Sequence, residues 1–179
     1  MIIVTGGAGF IGSNLVNYLS TNTDQKIVSV DYLNGPNKNY FTSANTSMVD
    51  PTHLESFLRK FKKEVKLIVH LGAISSTTCN DPNLILKNNI RLSIRLKEWC
   101  DKNLKRFIYA SSAATYGDGA HGFDDDPTPL AMAALEPLNR YGKSKQLFDL
   151  DAVLMANMGC HPPQWVGLKF FNVYGPNEY

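Results

Sequence analysis

A cluster of glycines directly after an apolar run constrains the fold of this 179-residue chain more than any other feature. The segment IIVT (2–5) runs into TGGAGFIG, and an amphipathic stretch follows. Glycines at 6, 9 and 12 allow a tight turn, close approach of the backbone to a phosphate, and close packing of helix on strand. The helix start adds unpaired N–H groups and the positive end of a dipole. The motif predicts a dinucleotide site built on Gly6, Gly9 and Gly12; a glycine-rich turn that only joins strand to helix is the alternative.

The fold class follows from the alternation of two kinds of segment. Short runs rich in β-branched residues alternate with longer segments of helical spacing, and the runs are apolar on both faces, as buried parallel strands are. The predicted strands are 2–5, 26–31, 66–72, 106–112 and 165–171, and the predicted helices are 11–20, 51–63, 82–102 and 140–157. This order predicts an α/β fold, a Rossmann-type doubly wound parallel sheet with helices on both faces. The segments 34–47 and 117–137 are predicted as loops because turn-forming residues dominate them.

An acidic residue at the end of the second predicted strand supports the dinucleotide interpretation. Asp31 closes the run IVSVD, about 20 residues after the glycines, where a carboxylate can accept hydrogen bonds from the adenosine ribose. A carboxylate that only caps the strand end is the alternative.

Two further segments carry groups suited to proton transfer. Tyr141 and Lys145 stand four residues apart, which places both on one face of the predicted helix 140–157. A lysine ammonium one turn away favours the phenolate form of a tyrosine, so that the phenol can exchange protons with a hydroxyl or a ketone. Upstream, ASSAATYG ends a predicted strand with Ser111 and Ser112. Ligands bind at the carboxyl ends of parallel strands, so a serine hydroxyl there can hold a substrate oxygen; a serine that satisfies its own turn is the alternative.

Composition narrows the classes of partner. The net charge of +2 is too small to argue for nucleic acid, and no apolar stretch is long enough to span a bilayer. The N-terminus lacks the pattern of a signal peptide. Cys79, Cys100 and Cys160 are far apart and show no zinc-ligand spacing, so we expect free thiols, no metal site and a cytoplasmic location.

Together these motifs resemble one family. TGGAGFIG, the aspartate after the second strand, ASSAATYG, YGKSK and FNVYGP are similar, in that order and over the whole chain, to the extended short-chain dehydrogenase/reductase family of nucleotide-sugar enzymes. Within it, HLGAISSTT, the asparagines at 88–89 and KFFNVYGP look most like the branch that epimerises an ADP-linked heptose for bacterial lipopolysaccharide.

The resemblance implies a role for each matching position. Ser112, Tyr141 and Lys145 would be the catalytic residues, with Tyr141 exchanging the proton and Lys145 also binding the nicotinamide ribose. The implied cofactor contacts are Gly6, Gly9, Phe10, Ile11, Gly12, Asp31, Tyr32, Lys38, Leu71, Gly72, Ala73, Ile74, Ser75, Asn88, Tyr141, Lys145 and Val173. The implied sugar contacts are Ser75, Ser112 and Asn172.

The implied reaction is inversion at C6″ of the heptose through transient oxidation by one tightly bound NAD or NADP. Asp31 would repel a 2′-phosphate whereas Lys38 would attract one, so both cofactors stay open. Two other functions stay open as well: a related 4-epimerase or dehydratase, and a non-catalytic NAD(P)-binding module. A dehydratase would usually carry an Asp-Glu pair beside the serine, and SSAATYG has none.

The resemblance also bears on organisation. Residues 1–179 would form the NAD(P)-binding domain of a larger enzyme, because FNVYGP normally marks the crossing to the part that closes over the nucleotide sugar. We expect a homo-oligomer paired through the helices 82–102 and 140–157.

Overall fold

The computed structural model of the chain describes residues 1–32, 45–176 and 178. Its strands are β1 (Ile2–Thr5), β2 (Ile27–Val30), β3 (Thr46–Val49), β4 (Leu67–His70), β5 (Arg106–Ser112) and β6 (Trp165–Phe170). Its α-helices are α1 (Phe10–Asn22), α2 (Leu54–Lys60), α3 (Pro82–Ile85), α4 (Leu92–Lys102), α5 (Pro129–Ala134) and α6 (Arg140–Asn157). Two 3₁₀ segments (Pro51–His53 and Ala113–Tyr116) and one π-helical segment (Leu86–Arg91) complete the regular structure.

The six strands form one parallel sheet in the order β3-β2-β1-β4-β5-β6. Successive strands add outward from β1 on one side, and the chain then crosses back to place β4 on the other side of β1. This is the strand order of a doubly wound dinucleotide-binding fold, and it confirms the predicted fold class.

The core lies on both faces of the sheet because side chains alternate along each strand. Ile3 and Phe107 belong to one buried cluster together with residues of α2, α4 and α6. Val4 and Val69 belong to a second cluster, which includes Val16 of α1. The strands are therefore covered on both sides by helices, as their apolar character on both faces predicts.

Two segments predicted as loops contain regular structure. Residues 46–49 form β3, which pairs in parallel with β2 at the sheet edge, so the loop prediction was wrong at 46–47. Residues 129–134 form α5 within the predicted loop 117–137: the Thr128 hydroxyl accepts from the Ala131 N–H, and Pro129 occupies the first helical position. The rest of the first loop, up to residue 44, lies outside the described residues.

The predicted helix 82–102 is continuous but not uniform. A π-helical segment separates α3 from α4, so the side chains after Leu86 follow a different rotation about the axis. Both asparagines at 88–89 lie in this segment.

Other features of the described part of the chain concern location and metals. No helix there is both long and apolar enough to cross a membrane. The same residues contain no group of three or more His, Cys, Asp or Glu side chains placed to hold a metal ion. The three cysteines are free, and burial raises the pKa of the Cys100 thiol to about 12.

Candidate active site

A cavity of about 750 Å³ opens at the carboxyl ends of the central strands. Thr5 at the end of β1, Asp31 after β2, Leu71 after β4 and Ser112 at the end of β5 all line it. These strands flank the point where the sheet order reverses, which is where open α/β sheets bind ligands.

The structure brings almost all of the predicted site residues to this one cavity. Those that line it are Gly6, Gly9, Phe10, Ile11, Gly12, Asp31, Tyr32, Leu71, Gly72, Ala73, Ile74, Ser75, Asn88, Ser112, Tyr141, Lys145, Asn172 and Val173. Lys38 lies outside the described residues. The cavity also includes residues that the sequence did not single out, namely Thr5, Val30, Pro51, Leu54, Leu92, Ala110, Phe170, Phe171 and Glu178.

The glycine loop has the close packing that its sequence predicts. Gly6 has a φ of +68°, and a Cβ there would lie 2.7 Å from the backbone of Gly72. A Cβ on Gly12 would overlap the carbonyl oxygen of Gly6. Gly9 is the N-cap of α1, so the helix begins at Phe10 and directs its first N–H groups toward the cavity edge that Gly9 and Phe10 line. The loop can therefore present backbone donors to an anion without side chains intervening.

Asp31 holds this loop in place and also lines the cavity. Its Oδ2 accepts a hydrogen bond from the backbone N–H of Ala8 (2.9 Å), and its Oδ1 accepts one from the N–H of Tyr32 (2.9 Å). The hydrogen bond from Tyr32 caps the end of the strand, which is the role predicted from the sequence as the alternative to ribose binding. Each oxygen keeps a further lone pair, so capping and ribose binding are compatible.

The helix α6 carries the predicted proton-transfer pair. Asn139 caps the helix by accepting from the N–H of Gly142 (2.8 Å). Lys145 is 5% exposed, its Nζ lies 5.8 Å from the centroid of the Tyr141 ring, and it donates to the carbonyl oxygen of Ala110 (2.6 Å). Burial lowers the pKa of Lys145 to about 8, and the negative charge of Asp149 opposes this shift.

Ser112 lies at the end of β5, on the same cavity. Its Oγ accepts from the backbone N–H of Ala114 (3.1 Å) and so caps the 3₁₀ segment Ala113–Tyr116. The serine thus does satisfy its own turn, but as an acceptor. Its hydroxyl proton stays available for a ligand oxygen in the cavity.

These observations agree with the comparison with known families. A profile of the NAD dependent epimerase/dehydratase family matches residues 2–179. The chain belongs to this family.

Curated relatives within the family are similar over the whole chain. The ADP-L-glycero-D-manno-heptose-6-epimerase of Nitratidesulfovibrio vulgaris is 47% identical over 100% of this chain and 55% of its own length. The enzyme of the same name from Fusobacterium nucleatum is 43% identical over 100% of this chain and 54% of its own length. The chain therefore spans about 55% of the length of the curated relatives it matches.

Solved structures of the family have the same fold. The Bacillus cereus UDP-glucuronic acid 4-epimerase in complex with NAD is 30% identical, with a TM-score of 0.78 over 99% of this chain and 58% of that one. The Helicobacter pylori ADP-L-glycero-D-manno-heptose-6-epimerase is 29% identical, with a TM-score of 0.75 over 98% of this chain and 56% of that one.

Asn89, which the sequence did not single out as a site residue, connects the cavity-lining segment at Ile74 to Ser144 on α6. Its side chain is 1% exposed; Oδ1 accepts from the N–H of Ile74 (2.8 Å), and Nδ2 donates to the Ile74 carbonyl (3.0 Å) and to Ser144 Oγ (3.0 Å). Ser144 in turn donates to the carbonyl of Tyr141 (2.7 Å). Asn88 lines the cavity, while its amide donates to Leu84 of its own helix.

His70 forms a second buried connection that the sequence did not indicate. Ser93 Oγ gives its proton to the Asn89 carbonyl (2.7 Å), so the His70 Nε2–H must donate to Ser93 Oγ (2.8 Å). His70 Nδ1 then accepts from the Thr5 hydroxyl (2.6 Å), which itself accepts from the Gly72 N–H (3.2 Å). One neutral tautomer satisfies the whole chain, and burial lowers the pKa of His70 to about 3, with the Lys145 charge adding to the shift.

This histidine should make the stability of the fold pH-dependent. The unfolded state takes up a proton near pH 6.5 but the folded state does so only near pH 3, so stability falls as the pH is lowered between those values. From pH 7 to pH 5 we expect the free energy of unfolding to drop by about 2 kcal/mol from this group. Urea unfolding at both values would measure it. His70→Gln should lose most of this dependence, whereas the exposed His121→Gln should keep it; equal dependence in both variants would contradict the assignment.

Proposed function

We propose that residues 1–179 form the dinucleotide-binding domain of an NAD(P)-dependent epimerase that inverts C6″ of an ADP-linked glycero-manno-heptose. The observation that carries this proposal is the meeting of Ser112, Tyr141 and Lys145 in one cavity with the glycine loop. The names of the curated relatives support the choice of sugar. The product would be activated heptose for lipopolysaccharide.

The residues present fit a dinucleotide. The backbone at Gly6 and Gly12 has no room for a side chain, and the N-terminus of the 13-residue α1 faces the same cavity. Asp31 would receive the adenosine ribose, while Tyr141 and Lys145 stand at the other end of the cavity lining, where the nicotinamide ribose would bind. A bound dinucleotide supplies a nicotinamide that accepts a hydride from the sugar carbon and returns it.

The chain's own side chains would handle the proton and the orientation of the sugar. Tyr141 would take the proton of the C6″ hydroxyl as a phenolate and later give it back, and the Lys145 ammonium would stabilise the phenolate before the first of these steps and after the second. Ser112 would donate a hydrogen bond from its hydroxyl to the reacting oxygen and so fix the position of that oxygen. Ser75 and Asn172, on the same cavity, would hold the sugar as it presents its second face.

Cofactor choice depends on the adenosine end of the cavity. The Asp31 carboxylate carries a negative charge where a 2′-phosphate would lie, which favours NAD. NAD is also the cofactor named in the solved Bacillus cereus complex. We propose NAD as the preferred cofactor on this basis, with NADP as the alternative that Lys38 would favour.

The helix α3, the π-helical segment after it and α6 support the expectation of a homo-oligomer. Leu84 and Leu86 at one end of the first helical stretch, and Leu147 and Leu154 on α6, are each at least 37% exposed. Apolar side chains of this size on two neighbouring helices suit a face that a second copy would cover.

A substrate panel tests the proposed function. The full protein would be incubated with ADP-D-glycero-manno-heptose, UDP-glucuronate and UDP-galactose, each with NAD and with NADP. We expect the heptose to be epimerised with a kcat/KM at least about 100-fold above those of the UDP sugars. Inversion at C4 of a UDP sugar would favour the 4-epimerase alternative, and loss of water would favour a dehydratase. Tight binding of cofactor without turnover of any sugar would favour a non-catalytic module.

A further inference from the structure

A third ionisable residue follows Tyr141 and Lys145 along the same face of α6. Asp149 lies one further turn on, is 3% exposed and does not line the cavity. Its Oδ2 accepts a hydrogen bond from Ser111 Oγ (2.6 Å), and its Oδ1 is buried without a hydrogen-bond partner among the described residues. Burying a carboxylate costs free energy unless another group compensates its charge, so the neighbours of Asp149 should include such a group.

Helix α6 is hydrogen-bonded to the end of β5 at two consecutive strand residues, Ala110 and Ser111. Lys145 Nζ donates to the carbonyl oxygen of Ala110, and Ser111 donates to Asp149. Both distances are 2.6 Å, and both strand residues directly precede Ser112. Lys145 and Asp149 are thus anchored immediately behind the residue that would hold the substrate oxygen.

Among the described ionisable groups around Lys145, Asp149 is the one whose negative charge acts on the Lys145 ammonium. The described ionisable groups near the pair on neighbouring elements are His70 on β4, Tyr109 on β5, Tyr116 in the 3₁₀ segment and Lys169 on β6. His70 is neutral, and burial raises the pKa values of both tyrosines. Asp151, the other acid at this end of α6, is paired with Lys97 (2.6 Å).

We propose that Asp149 is a positioning residue: its carboxylate holds Ser111 and supplies the buried negative charge that keeps the Lys145 ammonium protonated beside Tyr141. The proposal rests on the proposed function, in which Lys145 acts as a cation. Burial raises the pKa of Asp149, whereas hydrogen bonding by Ser111 and Tyr109 and then the charges of Lys169 and Lys145 lower it. The two buried groups thus stabilise each other's charged forms.

The test follows the titration of Lys145 itself. In the full protein, the ¹³Cε signal of Lys145, assigned by its loss in Lys145→Met, would be followed against pH by NMR. We expect Asp149→Asn to lower the Lys145 midpoint by about one pH unit or more, because removing a nearby anion makes the ammonium easier to deprotonate. The alkaline limb of kcat/KM should move to lower pH by the same amount.

Two controls separate charge from structure. Asp151→Asn removes a carboxylate from the same helix that belongs to a different pair, and it should leave the Lys145 midpoint unchanged. Ser111→Ala removes the hydrogen bond but keeps the charge, and it should move the midpoint less than Asp149→Asn does. An unchanged midpoint in folded Asp149→Asn would overturn the proposal.

A measurement on the unaltered protein keeps the proposal testable if Asp149→Asn does not fold. The ¹³Cγ signal of Asp149 should report an ionised carboxylate at pH 7, whereas a protonated one would overturn the proposal. Neither titration needs turnover, so a failure of the proposed function is distinguishable: the Lys145 midpoint would still move while no sugar is epimerised.

Discussion

Replacing Tyr141 by phenylalanine is expected to lower kcat by about 10²- to 10⁴-fold, the range that a positioned proton donor and acceptor contributes. The phenyl ring keeps the shape of the side chain on α6, so the fold and the buried position of Lys145 should be preserved. Dinucleotide binding should change by less than about threefold, because the phosphate and adenosine contacts that we propose lie at the glycine loop and Asp31. Steady-state kinetics together with cofactor titration would measure both effects.

The matched control is Tyr18→Phe, which removes a tyrosine hydroxyl from α1 at a side chain that is 64% exposed. It should leave both kcat and cofactor affinity at the values of the unaltered protein. A Tyr141→Phe variant that keeps more than a tenth of the original kcat would show that another group exchanges the proton.

Replacing Gly12 by alanine is expected to raise the dinucleotide Kd by about 100-fold. Alanine favours the helix in which Gly12 lies, but its methyl would overlap the Gly6 carbonyl oxygen, so the loop must move by about an ångström. The displaced loop would no longer present its N–H groups at the proposed phosphate site. The free energy of unfolding should also fall by about 1–3 kcal/mol from overpacking. Isothermal titration and urea unfolding would measure the two effects.

Gly159→Ala is the control for a glycine whose role is conformational alone. Gly159 follows α6 with a φ of +79°, and a Cβ there would meet no atom within 4 Å. Its replacement should cost about 1 kcal/mol of stability and leave the dinucleotide Kd unchanged. If Gly12→Ala also left the Kd unchanged, the glycine loop would not be the phosphate site.

Long apolar runs and strong caps made much of the fold predictable. The strands 2–5 and 106–112 and the helix 140–157 have the bounds that the sequence predicts. The strand β3 did not follow from pattern, because TSMV is short, half-buried and takes its conformation from pairing with β2. The helix α5 is short and has no buried residue, so periodicity could not reveal it.

The residues at the ends of parallel strands could be placed in one site, because such ends meet at one edge of the sheet. The supporting residues could not. Asn88 lines the cavity as the prediction has it, whereas the buried Asn89 was missed, because ordinary helical spacing does not predict the π-helical segment in which both lie. His70 acts through partners 23 and 65 positions away in the chain, and the Asp149 partner of Ser111 is 38 positions away; local spacing carries no information on such contacts. Asp149 did have a local signal, the repeat of four from Tyr141 and Lys145.

The most direct test of the central claim follows deuterium placed at C6″ of ADP-D-glycero-manno-heptose. The full protein with NAD or NADP would convert this substrate in ordinary water, and NMR and mass spectrometry would report the configuration and label at C6″ of the product. Transient oxidation and reduction at one carbon predicts the inverted epimer with its deuterium retained and no net change in the cofactor. Loss of the deuterium to solvent, or inversion at another carbon, would contradict this account of the site.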